Sequence, residues 1–304
     1  MTGWLVNDIL TGIPGTKTLW HDLLKWIPSL EDKTIAPYTT LADEIEIAAS
    51  TSPPNYIIRN ATFFRPLNIP CKTFSLIQDI HDGAWVHKDQ QLQVANASDV
   101  VIFNSPYTKS FYKKEVNVPM ITIPLGVDFD LFKPLKNKEE VRKKLNILPD
   151  SILFVGSSHK YPKGFDLVEE LIHSTNYNFC LVMKDDFYID HPRVKVFNKV
   201  NHDVLLEIYN SCVMLICTSE QETQHLSGIE AAACGLPIVA TNVGIYHNRK
   251  AGEWGNVSTK ENFNKSIQKV MINLNNYNPR EYFIREGLNR ESCKKKWLYL
   301  INNI

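Results

Sequence analysis

The sequence predicts an α/β protein made of two doubly wound parallel sheets, and three observations carry that prediction. Short apolar runs of strand length alternate with amphipathic helical stretches, and the same alternation begins again in the second half. The length, 304 residues, exceeds what a single compact core usually holds. Strands joined through helices form parallel sheets by right-handed crossovers, which gather ligands at the carboxyl ends of the strands.

In the first half, Trp4 to Asp8 reads as a strand, followed by a tight turn and a helix whose Leu19, Leu23, Leu24 and Ile27 recur at helical spacing. Residues 74–80, 99–105 and 120–126 read as buried strands, and the Ser105-Pro106 start marks a helix over 105–115. Prolines and a charge run then suggest a linker leading into a short helix, which sets the domain boundary near Pro134. The first domain is therefore 1–133. In the second, 134–279, the strands are 151–157, 178–184, 194–199, 213–219 and 236–242. Residues 280–304 end in an amphipathic helix expected to return to the first domain.

Composition narrows the function classes. With 44% hydrophobic and 22% charged residues the chain is an ordinary globular protein, and 33 basic against 33 acidic residues give no support for a nucleic-acid coat. Six scattered cysteines lack the spacing of zinc sites or the density of a disulfide framework, which fits a reducing cytosol. The start lacks a basic signal region, and no apolar run approaches the roughly 20 residues that span a bilayer. A cytoplasmic location is expected, and four Asn-x-Ser/Thr sequons are read as chance. Phe111 and Tyr112 with Lys109, Lys113 and Lys114 hint at weak peripheral membrane contact, but a solvated helix face explains them more simply.

Three stretches carry chemistry. In residues 11–24, Gly12 and Gly15 precede Lys17-Thr18 at a spacing that fails both the nucleotide-hydrolase loop and the dinucleotide fingerprint. What remains is either an anion-holding helix start or a plain strand-to-helix turn. In residues 154–168 a strand leads to Gly156, then Ser157, Ser158 and Lys160, and Lys163-Gly164 opens a helix. A lysine there pairs with phosphate oxygens, or is one more exposed lysine. In residues 217–242, Glu222 and Glu230 are separated by seven residues, Leu226 and Ser227 lie at a helix start, and Gly235-Leu236-Pro237 stops that helix. Backbone donors at the helix start suit a diphosphate, and the acids suit sugar or ribose hydroxyls. The competing reading makes Ser227-x-x-Glu230 a capping box and Glu222 a solvated loop charge. Asp128-x-Asp130 has a spacing that could hold a hard cation.

Taken in order, these motifs resemble those of GT-B glycosyltransferases, in particular the retaining family 4 type, the glycosyl transferases of group 1. Glu222 to Glu230 with EAAACGLPIVAT is similar to that family's Glu-x7-Glu block, and FVGSSHKYPKG to its phosphate-binding loop. IPLGVDFDLFKP resembles its interdomain signature, VVIFNSPYTK the element before it, and IQDIHDG the strand end that delivers an active-site histidine and aspartate. TGIPGT corresponds to the glycine-rich loop that faces donor and acceptor.

The resemblance implies a GT-B fold, two Rossmann-like doubly wound domains facing an interdomain cleft, with an acceptor domain first and a donor domain second. It implies transfer from a nucleoside-diphosphate sugar with retention, without a metal or other cofactor, to an acceptor that is a glycan, a lipid-linked molecule or a small molecule. His81, Glu222 and Lys163 take the catalytic roles, with Asp82 a weaker candidate. Gly12, Gly15, Gly156, Ser157, Ser158, Lys160, Leu226, Ser227 and Glu230 bind the donor, joined by Asn198 from its strand-end position near the base. Within the linker signature Asp128 and Asp130 read as structural. Two departures stand out. Ser157 and Ser158 occupy the place of the family's phosphate-loop arginine, leaving Lys160 to supply that charge, and Thr223-Gln224-His225 replaces Gly-Phe-Gly or Gly-Phe-Pro. The first half is also short for the family, which implies a trimmed acceptor domain. The altered loop keeps open the alternative of a non-catalytic nucleotide-sugar binder of the same fold.

Overall fold

The computed structural model describes residues 2–6, 14–33, 41–61, 65–80 and 88–303, with backbone alone for 14–17 and 41. The chain forms two units, one of residues 1–125 with 291–304, the other of residues 126–290.

The first unit contains β1 (Gly3–Val6), α1 (Pro14–Trp26), β2 (Leu30–Asp32), α2 (Leu41–Thr51), β3 (Tyr56–Asn60), β4 (Lys72–Ile77), α3 (Lys88–Asn96), β5 (Val100–Phe103), α4 (Pro106–Tyr112) and β6 (Met120–Thr122). Its six described strands are parallel, in the order β2-β1-β3-β4-β5-β6. Strands covered by helices on both faces can be apolar along their whole length, and Tyr56, Ile57 and Ile58 of β3 are fully buried. Of the stripe Leu19, Leu23, Leu24 and Ile27, helix α1 buries Leu19 and Leu23 and leaves Leu24 half-buried; Trp20 is buried beside them, and Ile27 is buried just past the helix end. The helix begins at Pro14, so Gly15 is its second residue and belongs to the helix rather than to the turn. Helix α4 starts as Ser105-Pro106 signals: the Ser105 hydroxyl accepts the Thr108 N–H at 3.0 Å, with proline in the first turn. Tyr112 is buried with its hydroxyl 2.9 Å from the Gln91 side chain and 3.1 Å from the Asp79 carbonyl, while Lys109 donates to the Met120 carbonyl. Of the aromatic pair singled out in the sequence, Phe111 is exposed and Tyr112 belongs to the core. Among the described residues no helix is long and apolar enough to cross a membrane.

The second unit follows with α5 (Lys138–Lys144), β7 (Ile152–Gly156), α6 (Phe165–Ser174), β8 (Phe179–Met183), β9 (Val194–Asn198), α7 (His202–Ser211), β10 (Met214–Cys217), α8 (Leu226–Ala233), β11 (Ile238–Ala240), β12 (Gly255–Val257), α9 (Phe263–Ile272) and α10 (Pro279–Arg285). This sheet too is parallel, in the order β12-β11-β10-β7-β8-β9. Its core gathers Phe154 of β7, Phe165 of α6, Leu181 of β8, Ile216 of β10 and Phe263 of α9. The helix stop at Gly235 holds: the Leu236 N–H reaches the Ala231 carbonyl at 3.0 Å and closes the end of α8. Helix α11 (Arg290–Asn302) carries the chain back to the first unit and buries Cys293, Trp297 and Ile301 at four-residue spacing.

The division falls at Gly126 rather than Pro134, and the return at Glu291 rather than residue 280. Side chains of the second unit explain both shifts. Arg280 on α10 donates to the carbonyls of Phe129, Phe132 and Ala233, and Asn210 on α7 bonds to the main chain of Lys133 and Leu135. The supposed linker is thereby sewn onto α7 and α10. Strands β2, β3 and β12 lie outside the runs read from sequence. The first and last are three residues long, and β3 ends in Arg59 and Asn60, polar residues that are nevertheless buried.

Phe263→Ala is expected to lower the unfolding free energy by about 3–5 kcal/mol, since it empties a ring-sized volume in the second core. Urea denaturation checks this.

Candidate functional site

In the second sheet the strand order turns around between β7 and β10: β8 and β9 extend one way, β11 and β12 the other. Beyond the carboxyl ends of two strands at such a switch point the flanking loops diverge and leave a crevice. The loops that leave β7 and β10 hold Lys163 and Glu222, and hydrogen bonds dock them together. The Glu220 N–H donates to the Pro162 carbonyl at 2.9 Å, the Thr218 hydroxyl to the Lys163 carbonyl at 3.0 Å, and the Tyr161 hydroxyl to Gln221 at 2.8 Å. Gly164 makes this approach possible. Its φ is +63°, and a Cβ there would lie 2.1 Å from the Thr218 carbonyl oxygen.

The docked loops form an ion pair. Lys163 Nζ donates to Glu222 Oε2 at 2.5 Å, with the side chains 25% and 15% exposed. Burial by itself would raise the Glu222 pKa, but the charge of Lys163, with help from His225 and Lys184, holds it below its ordinary 4.5. Glu222 is thus an ionised acceptor paired with Lys163 and influenced by Lys184. Glu230, on α8, accepts a hydrogen bond from the Tyr209 hydroxyl at 2.8 Å on Oε2. Burial pushes its pKa up, with Tyr209 partly opposing.

The other expected donor-site residues divide. Gly156 ends β7, and the carboxylate of Asp185, two residues beyond β8, accepts both the N–H and the hydroxyl of Ser158. That hydroxyl is the largest cause of the lowered Asp185 pKa. The serine that stands in the place of an arginine is therefore engaged by an acid. Ser157 is buried and Lys160 is exposed beside it. Asn198 closes β9 at the sheet edge and donates to the Phe187 carbonyl. Leu226 and Ser227 are the first two residues of α8, so Ser227 does not cap the helix and the capping-box reading fails. The position before them is His225, with φ 69° and no side-chain cap bond. The N–H groups of a helix's first turn have no partner within the helix and can serve an anion. Gly12, His81 and Asp82 lie outside the described residues. Asp128 accepts the N–H groups of Asp130 and Leu131 and pairs with Arg290 at 2.9 Å, so it shapes a turn. Among the described residues no group of three or more His, Cys, Asp or Glu side chains comes together as metal ligands do.

Lys184 and Asp185, Tyr209, and the pair of His225 with Tyr246 escape sequence reasoning. Lys184 directly follows β8, and its main-chain N–H reaches the Gly156 carbonyl at 2.8 Å. Its strand-end position was the available signal.

Residues 149–275 match the family described as Glycosyl transferases group 1. Over 209 residues the chain is 30% identical to a probable sucrose-phosphate synthase of Thermosipho melanesiensis, an alignment covering 62% of this chain and 48% of that one. It is 26% identical over 208 residues to an uncharacterized glycosyltransferase of Methanocaldococcus jannaschii, covering 65% and 55%. The chain thus spans about half the length of the curated relatives it matches. Among solved structures, sucrose-phosphate synthase from Thermosynechococcus elongatus superposes with a TM-score of 0.78 at 14% identity, covering 100% of this chain and 99% of that one. The Anabaena protein HepE, solved in complex with UDP, gives 0.77 at 13% identity with both chains covered in full, and HepE has also been solved with UDP-glucose. At these identities the structures establish the fold.

Gly164→Ala is expected to destabilise the second unit by roughly 3 kcal/mol, because a left-handed angle and a backbone clash coincide there. Thermal denaturation reads the loss. The Glu222 carboxylate, with a folded pKa below its unfolded one, adds stability above the unfolded value and loses it as pH falls through the folded value. Lys163→Met removes the main opposing charge and leaves burial in command. The Glu222 titration, followed by carboxyl 13C NMR, is then expected to move to higher pH than in the wild type.

Proposed function

We propose that this chain, whose second unit carries a glycosyl transferases group 1 domain within a GT-B fold, moves a sugar from a nucleoside diphosphate to a hydroxyl acceptor with retention of anomeric configuration. The observation that carries the reading is the Lys163–Glu222 pair at the switch point, beside the start of α8. The UDP and UDP-glucose complexes of HepE, a protein of the same fold, support a nucleotide-sugar donor.

In this reading the diphosphate lies against Lys163 and the first-turn N–H groups of α8 at Leu226 and Ser227. As the bond from the anomeric carbon to the phosphate oxygen breaks, negative charge grows on that oxygen, and these groups stabilise it more than the ground state. The leaving phosphate oxygen takes the acceptor hydroxyl proton while that hydroxyl attacks the same face. Glu222 positions the donor sugar through hydroxyl hydrogen bonds, and Glu230, oriented by Tyr209, accepts from the ribose. Lys184 adds a cation from β8, and no metal is required for the charge balance. His81 and Gly12 are assigned to donor contact by resemblance, and the acceptor falls to the first unit. The six free thiols suit a reducing compartment.

A second reading, donor binding without transfer, draws on the engagement of Ser158 by Asp185, which puts an acid where the resemblance expects an arginine. Turnover separates the two. A thermal-shift panel of UDP-, GDP-, ADP- and TDP-sugars identifies the donor through mass-action stabilisation. With it, Glu222→Ala and Lys163→Ala are each expected to cut kcat/KM by about 100-fold or more while the circular dichroism spectrum is kept. Near-normal transfer by both variants would defeat the assignment.

A further inference from the structure

His225 sits where a side chain costs energy. Its backbone has φ 69° and ψ 68°, the left-handed region that residues with a Cβ rarely occupy. The imidazole is buried, and its Nδ1 lies 2.7 Å from the Tyr246 hydroxyl. Gly228 opens the space for this pair: a Cβ on it would lie 1.8 Å from the Tyr246 oxygen and 2.5 Å from His225 Nδ1.

The hydrogen-bond inventory fixes the tautomer. Tyr246 is fully buried and keeps its proton, since burial pushes its pKa far up. Among the described residues the acceptor within reach of that proton is His225 Nδ1. Were Nδ1 protonated instead, the phenol proton would be buried without an acceptor, at a cost of about a hydrogen bond or more. Tyr246 therefore donates to Nδ1, and the proton of the neutral ring resides on Nε2. Among the described residues Nε2 makes no hydrogen bond, which leaves its N–H for a ligand.

The surrounding charges keep the ring neutral. Burial is the largest cause of its depression to about 4; Lys163 and Lys184 add to it and Glu222 opposes it. The loop from 222 to 225 thus offers an ionised acceptor, Glu222, and a neutral N–H donor three residues on. A phosphate oxygen approaching this combination would meet the Glu222 charge. Sugar hydroxyls suit it, since one can donate to the carboxylate while another accepts from Nε2–H.

We infer that His225 is a specificity-determining residue whose Nε2–H hydrogen-bonds a hydroxyl of the donor's sugar, alongside Glu222. The inference rests on the proposed donor reading and adds to it a side-chain contact, set by Tyr246 and Gly228.

The test uses the whole chain with UDP and UDP-glucose as probes, and GDP, ADP and TDP with their glucose conjugates in parallel. Long-range 1H–15N spectra of the histidine rings are expected to show His225 protonated at Nε2. UDP-glucose, or the conjugate that binds, is expected to move the Nε2 signal well beyond the shift caused by its nucleoside diphosphate alone. H225G, whose backbone suits the left-handed angle, is expected to bind the diphosphate within about twofold of the wild type and the sugar conjugate about fivefold more weakly. An Nδ1-protonated ring, equal shifts with and without the sugar, or equal weakening of both ligands would overturn the inference while leaving the donor reading intact. Failure of every probe to raise the melting temperature overturns both.

Discussion

Gly164 and the Thr218 carbonyl approach so closely that no side chain fits between them, and most of the site's organisation follows from that contact. It lets the loop after β7 lie against the loop after β10, where the Glu220 N–H donates to the Pro162 carbonyl and the Thr218 hydroxyl to the Lys163 carbonyl. Once the backbones are in register, Lys163 meets Glu222 without either side chain having to search for the other. The pair is half shielded from water, so its attraction is screened less than that of a surface pair. The strand order makes this the right place for it, because the two loops leave neighbouring strands at the turnaround of the sheet.

The charges around the pair are arranged asymmetrically. Lys163 and Lys184, from the loops that follow β7 and β8, act on Glu222 and His225, whereas Asp185 is turned aside onto Ser158. Glu230 is half-buried farther along α8, where it accepts a hydrogen bond from the Tyr209 hydroxyl of α7. Two carboxylates of similar chemistry thus differ in state: one is held ionised by a cation, and the other is pushed by burial toward its neutral form. A ligand with an anionic centre and hydroxyl groups on both sides matches that distribution.

Much of this architecture was legible in the sequence because parallel strands buried on both faces write themselves as short apolar runs. The strands read at 151–157, 178–184 and 213–219 are all present, and each observed strand ends one or two residues earlier, at Gly156, Met183 and Cys217. Strand β3 was harder to see, since Arg59 and Asn60 interrupt the run although both are buried. The linker was misjudged for a related reason: proline and charge mark irregular backbone, yet they say nothing of an arginine some 150 residues downstream that binds it. Lys163, Glu222 and Glu230 could be picked out because each stands beside a turn or helix start. Their partners could not, because Tyr209 and Lys184 arrive through strand order and helix packing. His225 looked like a lost glycine, and the backbone angle that gives the change its meaning exists only in three dimensions.

The way the second unit begins and ends has a consequence for the chain as a whole. Val127 pairs with Asn289, its N–H bonding to the Leu288 carbonyl at 3.1 Å and its carbonyl accepting from Arg290 at 2.8 Å. Entry and exit therefore run side by side, and everything between them forms one uninterrupted stretch of chain. Such a segment behaves as a cassette: a recombination event with paired breakpoints there would exchange the entire second unit in a single step, and leave the strands and final helix of the first unit untouched.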